Sequence, residues 1–260
     1  MAEENEQPIA VIIACMDRRL NELVDEEIWD LRTRGYEVKV FRTAGGNVNP
    51  IEGELMEIAK TGRLKTALGM PHYDCGWVKA AAQVCYFGGV ASMNVVESMK
   101  EVFVSLEVSE KEKGDLTSLH LSMEEHNADY LNRALIDILG KEFDIRIKMP
   151  DAKLFDKEKK GEKHDHHLLF AGASDLTTSE MSKRIGVEPW EIYELRGRVD
   201  NLLIDAEVAV RFLGLNRHMV YVFGKEDDRR KLKEEGFGLA NAEVKIVTPN
   251  GKPTKLKNGA

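Results

Sequence analysis

Ile9-Ala10-Val11-Ile12-Ile13-Ala14 is an unbroken apolar run, and Cys15-Met16-Asp17-Arg18-Arg19 follows it at once. A run of this kind reads as a strand buried on both faces, as parallel sheets contain. Open α/β sheets keep their chemistry at the carboxyl ends of such strands, so the residues just past Ala14 are where function is sought. Working outward, Leu20, Leu23, Val24, Ile28 and Leu31 recur with a helical period that Gly35 stops. Tyr36, Val38 and Val40 alternate with polar residues and give a second strand ending at Arg42. Asn49-Pro50 has the form of a helix N-cap followed by proline, leading into Ile51, Leu55, Ile58 and Ala59. Thr66 to Met70 is a third strand, and it delivers Pro71-His72-Tyr73-Asp74-Cys75-Gly76. Strands alternating with helices predict an α/β fold, a mostly parallel β-sheet flanked by helices and joined by right-handed crossovers.

Composition narrows the classes of function. The chain has 260 residues, 43% hydrophobic and 32% charged, enough for one large domain or two small ones. Its net charge of −8 argues against non-specific nucleic-acid binding, which depends on excess Lys and Arg. No apolar stretch approaches the roughly 18 residues of a membrane span, so no membrane partner is expected. The acidic opening Glu3-Glu4-Asn5-Glu6 is unlike the basic start of a secretory signal. Three cysteines cannot all pair, and two have metal-ligand spacing. A reducing, cytoplasmic setting is therefore the expectation.

Cys15, His72 and Cys75 make a set of two sulfurs and one nitrogen, which zinc takes when a fourth position is left for water or substrate. Singly, each signal has a plainer reading: a Cys at a strand end serves as a small buried hydrophobe, and His-x-x-Cys recurs by chance. Their conjunction with Asp17 and Arg19, at fixed distance from Cys15, is what raises the metal reading.

These residues resemble those of the β-class carbonic anhydrases. That family carries Cys-x-Asp-Ser-Arg after its first strand, Arg-Asn-Ala-Gly after its second and Gly-His-x-x-Cys-Gly after its third. Here the stretches are Cys15-Met16-Asp17-Arg18-Arg19, Arg42-Thr43-Ala44-Gly45 and Pro71-His72-Tyr73-Asp74-Cys75-Gly76, in the same order over residues 8–80. The resemblance implies Zn2+ held by Cys15, His72 and Cys75, with Asp17 and Arg19 as a catalytic acid–arginine dyad. It implies reversible hydration of carbon dioxide to bicarbonate by a zinc-bound hydroxide, a carbonic anhydrase-like lyase activity. It also allows a closed state in which Asp17 itself ligates the metal. Backbone amides at Gly45 and Gly76 are placed to contact the small-molecule substrate. Arg18, Thr43 and Pro71 replace the family's serine, asparagine and glycine, and Trp77 stands where a small residue is common. These departures keep two alternatives open: hydrolysis of carbonyl sulfide or carbon disulfide at the same site, and a catalytically silent zinc-binding scaffold closed by Asp17.

The second half repeats the alternation. Lys111 to Asp115 and Lys157 to Lys163 are charged and loop-like, and Leu168 to Ala173 is a strand candidate. Thr177 and Glu180 have capping-box spacing. Ile192 to Leu195 reads as a strand running into Arg196, Asp205 to Leu213 as a helix, and Met219 to Phe223 as a strand. Laid over the first half, Ala173 falls at Cys15, Asp175 at Asp17, Arg196 at Arg42, Lys225 near His72 and Asp228 near Cys75. The expectation is a zinc-binding half over 1–155 and a degenerate repeat over 156–260 that lacks zinc ligands, against the plainer view that strand–helix alternation recurs in any α/β chain. Family members build their site at a dimer interface, so the partner expected is either a second copy, as a homo-oligomer, or this internal pseudo-dimer. The cluster His164, His166 and His167 reads as a solvated linker, Cys85 as core, and His120 and His126 as surface histidines on a helix.

Overall fold

The computed structural model describes residues 6–155, 166–173, 176–212, 220–224, 226–235 and 243–247. The apolar run at the start is strand β1 (Ile9–Cys15), every residue of which is buried. Its neighbours are β2 (Glu37–Thr43) and β3 (Leu64–Met70), both parallel to it. The remaining strands are β4 (Asp144–Ile147), β5 (His167–Ala171), β6 (Ile192–Arg196), β7 (Val220–Phe223) and β8 (Val244–Ile246). All eight lie in one sheet in the order β4-β3-β1-β2-β6-β5-β7-β8. Burial of a Val, Leu or Ile side chain stabilises by about 1.5–3 kcal/mol, so a strand with no exposed residue must lie in the interior of this sheet.

The strand order has a plain regularity. From the centre outward, the first half runs β2, β1, β3, β4 and the second runs β6, β5, β7, β8. Pairing is parallel within each half, and the halves meet through an antiparallel β2–β6 contact at Arg42 and Arg196. Both arginines are completely buried there.

Nine helices are present among the described residues: α1 (Asn21–Thr33), α2 (Glu52–Lys60), α3 (Gly76–Tyr86), α4 (Met93–Phe103), α5 (Glu110–Gly114), α6 (Leu116–Leu139), α7 (Thr178–Ile185), α8 (Leu203–Phe212) and α9 (Glu226–Glu235). They flank the sheet, with α1 against α7 and α3 against α4, α6 and α8. None of these helices is long and apolar enough to cross a membrane. The expected capping box forms: Thr177 Oγ1 accepts from the Glu180 N–H, and Glu180 Oε2 accepts from the Thr177 N–H. Asp25 of α1 adds to the same helix start, accepting from the N–H groups of Thr178 and Ser179.

Two expectations change. Asn49-Pro50 does not cap α2 but opens a one-turn 3-10 segment, Asn49–Ile51, so the helix begins at Glu52. The Asn49 side-chain oxygen instead accepts from the Tyr130 hydroxyl at 2.8 Å. Lys111 to Asp115 is not a loop: Ser109 and Glu112 form a capping box that starts α5. Residues 157–163 lie outside the described residues.

Candidate metal centre

Each ligand candidate sits where a strand stops. Cys15 is the last residue of β1, and after it Asp17 caps a short 3-10 turn at Arg18–Leu20, accepting the Arg19 N–H at 3.0 Å. His72 lies two residues beyond β3, and Cys75 is the N-cap residue of α3. Because β1 and β3 are adjacent and parallel, their carboxyl ends bring residues nearly 60 positions apart side by side.

The cluster is compact. The Cys15 and Cys75 sulfurs are 3.9 Å apart, and ligand atoms of Cys15, His72 and Cys75 all lie within 4.8 Å of one another. Sulfurs bound tetrahedrally at about 2.3 Å from one ion stand about 3.8 Å apart, so the sulfur spacing suits a shared metal. All three residues are buried. His72 supplies the sharpest indication. Its Nδ1 is 2.8 Å from the Tyr73 carbonyl oxygen, which can only accept, so Nδ1 carries the hydrogen. Nε2 is then the nitrogen that offers a lone pair once its proton is lost, and it is buried with no hydrogen-bond partner. An imidazole whose far nitrogen is tied to a carbonyl is the arrangement metal-ligating histidines adopt. The three residues can hold a metal ion.

The protonation equilibria of the ligands are interlocked. Burial opposes ionisation of Cys15, but the hydrogen bond from Cys75 and the charge of His72 hold its thiol well below the usual value. The same hydrogen bond, together with burial, pushes Cys75 well above it. Burial disfavours a charged His72, yet the Cys15 sulfur outweighs this and raises it to about 9. The arrangement favours one thiolate, at Cys15, and a cation binding here would displace the remaining protons.

Asp17 and Arg19 form a fork-to-fork pair. Arg19 Nε donates to Asp17 Oδ1 at 3.0 Å and Nη2 to Oδ2 at 2.7 Å. Burial would raise the Asp17 pKa, but these bonds and the nearby His72 bring it down to about 2. Asp17 Oδ2 is 3.8 Å from His72 Nε2, so the carboxylate borders the ligand cluster. Arg19 is held from its other side by Asp74, whose Oδ2 and backbone oxygen accept at 2.7 and 2.9 Å. Asp74 has φ 60°, the left-handed region that a non-glycine residue enters only when its surroundings demand it. Lys79 also pairs with Asp74.

Around this lies a shell that sequence reasoning did not assign. Arg42, expected to mark a strand end, uses its guanidinium to hold the turn that follows β1, donating to the carbonyls of Cys15 at 2.7 Å and Asp17 at 2.9 Å. Glu124 of α6 accepts the Cys75 N–H at 2.8 Å, and Asn127, one turn later, donates to the Gly45 carbonyl at 2.9 Å. The signal was present: two polar residues fall on the stripe of α6 that also buries Leu119, Met123 and Leu131. Gly45 (φ 68°) lies directly under Trp77, where any Cβ would meet the indole at 2.4 Å. Trp77 therefore covers the 44–46 loop. Gly76 is the first residue of α3 and stands beside the cluster by virtue of following Cys75. Cys85 is half-buried, away from the ligand set. A cavity of about 420 Å³ opens beside the turn at Tyr73 and Asp74, lined also by Lys79, His120 and Glu124 among others.

In the second half the pairing register moves one correspondence. Ala14 lies opposite Arg42 as Ala171 lies opposite Arg196, so Gly172, not Ala173, takes the place of Cys15. Met70 and Phe223 correspond likewise, which leaves Asp228 at the Cys75 position. Asp175, Lys225 and His164 lie outside the described residues. His166 and His167 are both half-buried, His167 opening β5 and His166 just ahead of it, and neither belongs to a metal cluster among the described residues.

No family model matches the chain, and no curated protein matches it.

Proposed function

We propose that this protein is a zinc enzyme that hydrates carbon dioxide reversibly to bicarbonate and a proton, with Cys15, His72 and Cys75 as metal ligands. The observation that carries the reading is the buried, unpartnered His72 Nε2 facing two sulfurs, with a fully paired carboxylate at its edge. Two thiolates and one imidazole are a donor set that zinc favours, and three ligands leave a position for chemistry. When bound, the metal supplies a Lewis acid that brings the pKa of a coordinated water to about 7.

The remaining work falls to the chain's own residues. Asp17, with a pKa of about 2, is a carboxylate throughout the neutral range and can only accept hydrogen bonds. At the edge of the ligand cluster it would accept a hydrogen bond from the attacking hydroxide and so aim the oxygen lone pair at the substrate carbon. Arg19 occupies both Asp17 oxygens, which keeps the acid from becoming a fourth ligand. Asp74 fixes Arg19 in that position. These contacts support an open site over one closed by Asp17. The N–H groups of Gly45 and Gly76 are the proposed substrate contacts, and the substrate is a small linear molecule that no nucleic acid or membrane need present.

The second half is proposed to be a degenerate copy, residues 156–260 against 1–155, so that the chain is an internal pseudo-dimer. The mirrored strand order and the Arg42–Arg196 pairing support this reading.

Stopped-flow measurement of carbon dioxide hydration from roughly pH 6.5 to 9, a range bracketing that water's pKa, tests the proposal. Metal-loaded protein should turn over throughout, faster as pH rises. Asp17→Asn should keep its metal while turnover falls by on the order of 100-fold or more. Loaded protein inactive at every pH, or an Asp17→Asn variant as fast as the parent, would overturn it. Hydrolysis of carbonyl sulfide by protein inactive toward carbon dioxide would move the reading to the sulfur substrates.

A further inference from the structure

Two carboxylates cross between the halves in the same manner. Asp205 is the third residue of α8, and its Oδ2 accepts the Ala44 N–H at 3.0 Å. Glu54 is the third residue of α2, and its Oε1 accepts the Arg198 N–H at 2.8 Å. Ala44 stands two residues after Arg42, and Arg198 two after Arg196, the arginines that face each other at the junction. Each acid therefore reaches across to the turn just beyond the other half's buried arginine.

What the two clamps hold is different. Arg198 begins a turn beside a cavity of about 470 Å³, where Gly172 and Asp228 stand in the places of Cys15 and Cys75. Ala44 begins the 44–46 loop, which packs against the backbone of Cys15 and under Trp77. A Cβ on Gly46 would come within 3.4 Å of the Cys15 nitrogen, and Gly45 lies under Trp77, two residues beyond Cys75. Asn127 grips the loop at the Gly45 carbonyl, and Asp205 is its anchor from the opposite half. Asp205 is 3% exposed and close enough to Cys15 for the two to interact electrostatically.

We infer that Asp205 is a positioning residue of the metal centre, supplied by the half that carries no metal ligands. By holding the Ala44 N–H it fixes the 44–46 loop against Cys15 and Trp77, so the second half completes a site it does not itself contain. This rests on the metal-binding part of the reading above and not on the reaction. Outer groups that orient metal ligands contribute about 10- to 100-fold to affinity, which sets the effect to look for.

The test loads full-length protein with Co2+ and follows its absorption spectrum and its transfer to a chromophoric chelator. Asp205→Ala should release the metal about 10-fold faster or more and alter the cobalt bands. Asp205→Asn retains an acceptor oxygen and should stay within about threefold of the parent, a fraction of the same range. Glu54→Ala opens the mirror clamp; it should lower thermal stability yet leave bands and release rate unchanged. If the alanine variant does not fold, Asp205→Ser, whose oxygen sits one bond short of the Oδ2 that meets the Ala44 N–H, carries the same expectation. A folded Asp205→Ala or Asp205→Ser variant with parental bands and release would overturn the inference. So would Glu54→Ala accelerating release equally, because the clamps would then serve only the fold. Parent protein that never takes up Co2+ would overturn the metal reading along with it, whereas failure of carbon dioxide hydration alone would leave it standing.

Discussion

Serine at position 75 should leave a folded protein that no longer retains its metal. Cys75→Ser exchanges one atom in a fully enclosed position, and the backbone bond from residue 75 to Glu124 does not involve the changed atom. A serine hydroxyl does not ionise near neutral pH and is a poor donor to zinc, so Cys15 and His72 would be left as a two-point site. Metal content after dialysis, measured by plasma emission, should fall from about one ion per chain to near zero. His72→Ala should do the same by removing the one ligand atom without a hydrogen bond. Cys85→Ser should keep full occupancy, because Cys85 lies outside the cluster. Chelation should also lower the melting temperature of the parent and not of Cys75→Ser, since only a protein that binds metal gains stability from it. Full metal occupancy in Cys75→Ser would refute the ligand assignment.

The largest effect on stability is expected at Glu194. Its side chain is completely buried between two completely buried arginines, with Oε1 2.8 Å from Arg196 Nε and Oε2 3.4 Å from Arg42 Nη1. Thr178 Oγ1 also donates to Oε2 at 2.8 Å. Burial lowers the pKa of Arg42, Glu194 raises it and Arg196 lowers it again, so the glutamate is what makes a charged Arg42 tolerable. Removing one partner of a buried charged group costs about 3–5 kcal/mol, because the other charge is left without compensation. Glu194→Leu should show a loss of that size in urea unfolding. Glu194→Gln, which keeps polar atoms but not the charge, should lie between it and the parent. A leucine variant within about 1 kcal/mol of the parent would show that water or a rearranged side chain already neutralises the pair.

Much of the sheet was legible because buried strands announce themselves. Ile9 to Ala14, Thr66 to Met70 and Leu168 to Ala171 are apolar throughout or nearly so, and their ends carry the residues that matter. The ligand cluster was legible for the same reason: a parallel sheet brings its strand ends together, so motifs at three ends read as one place. What escaped has a physical cause in each instance. β4 is an edge strand, Asp-Ile-Arg-Ile, whose charges face solvent and conceal its pairing with β3. The α6 helix was seen only in part because its apolar stripe is interrupted by the buried polar residues Glu124 and Asn127, while Leu116 and Leu121 lie exposed. Asn49 looked like a cap, but its side chain was claimed by Tyr130, 81 positions away. The displacement of Ala173 by Gly172 reflects a register that only inter-strand hydrogen bonds define. Asp205 and Glu194 act on residues more than 150 positions distant, and a linear pattern holds no trace of such a meeting.

The seam at the middle of the sheet has a consequence of parity. An assembly of two identical chains about a twofold axis holds every group in even number. Here two arginines share a single glutamate, and the place equivalent to Glu194, two residues before Arg42, is Val40. A pair built from either half alone would enclose two arginines with no acid or two arginines with two. An odd count requires sides that are free to differ, as they are within this one chain, and it makes the halves complementary and not interchangeable.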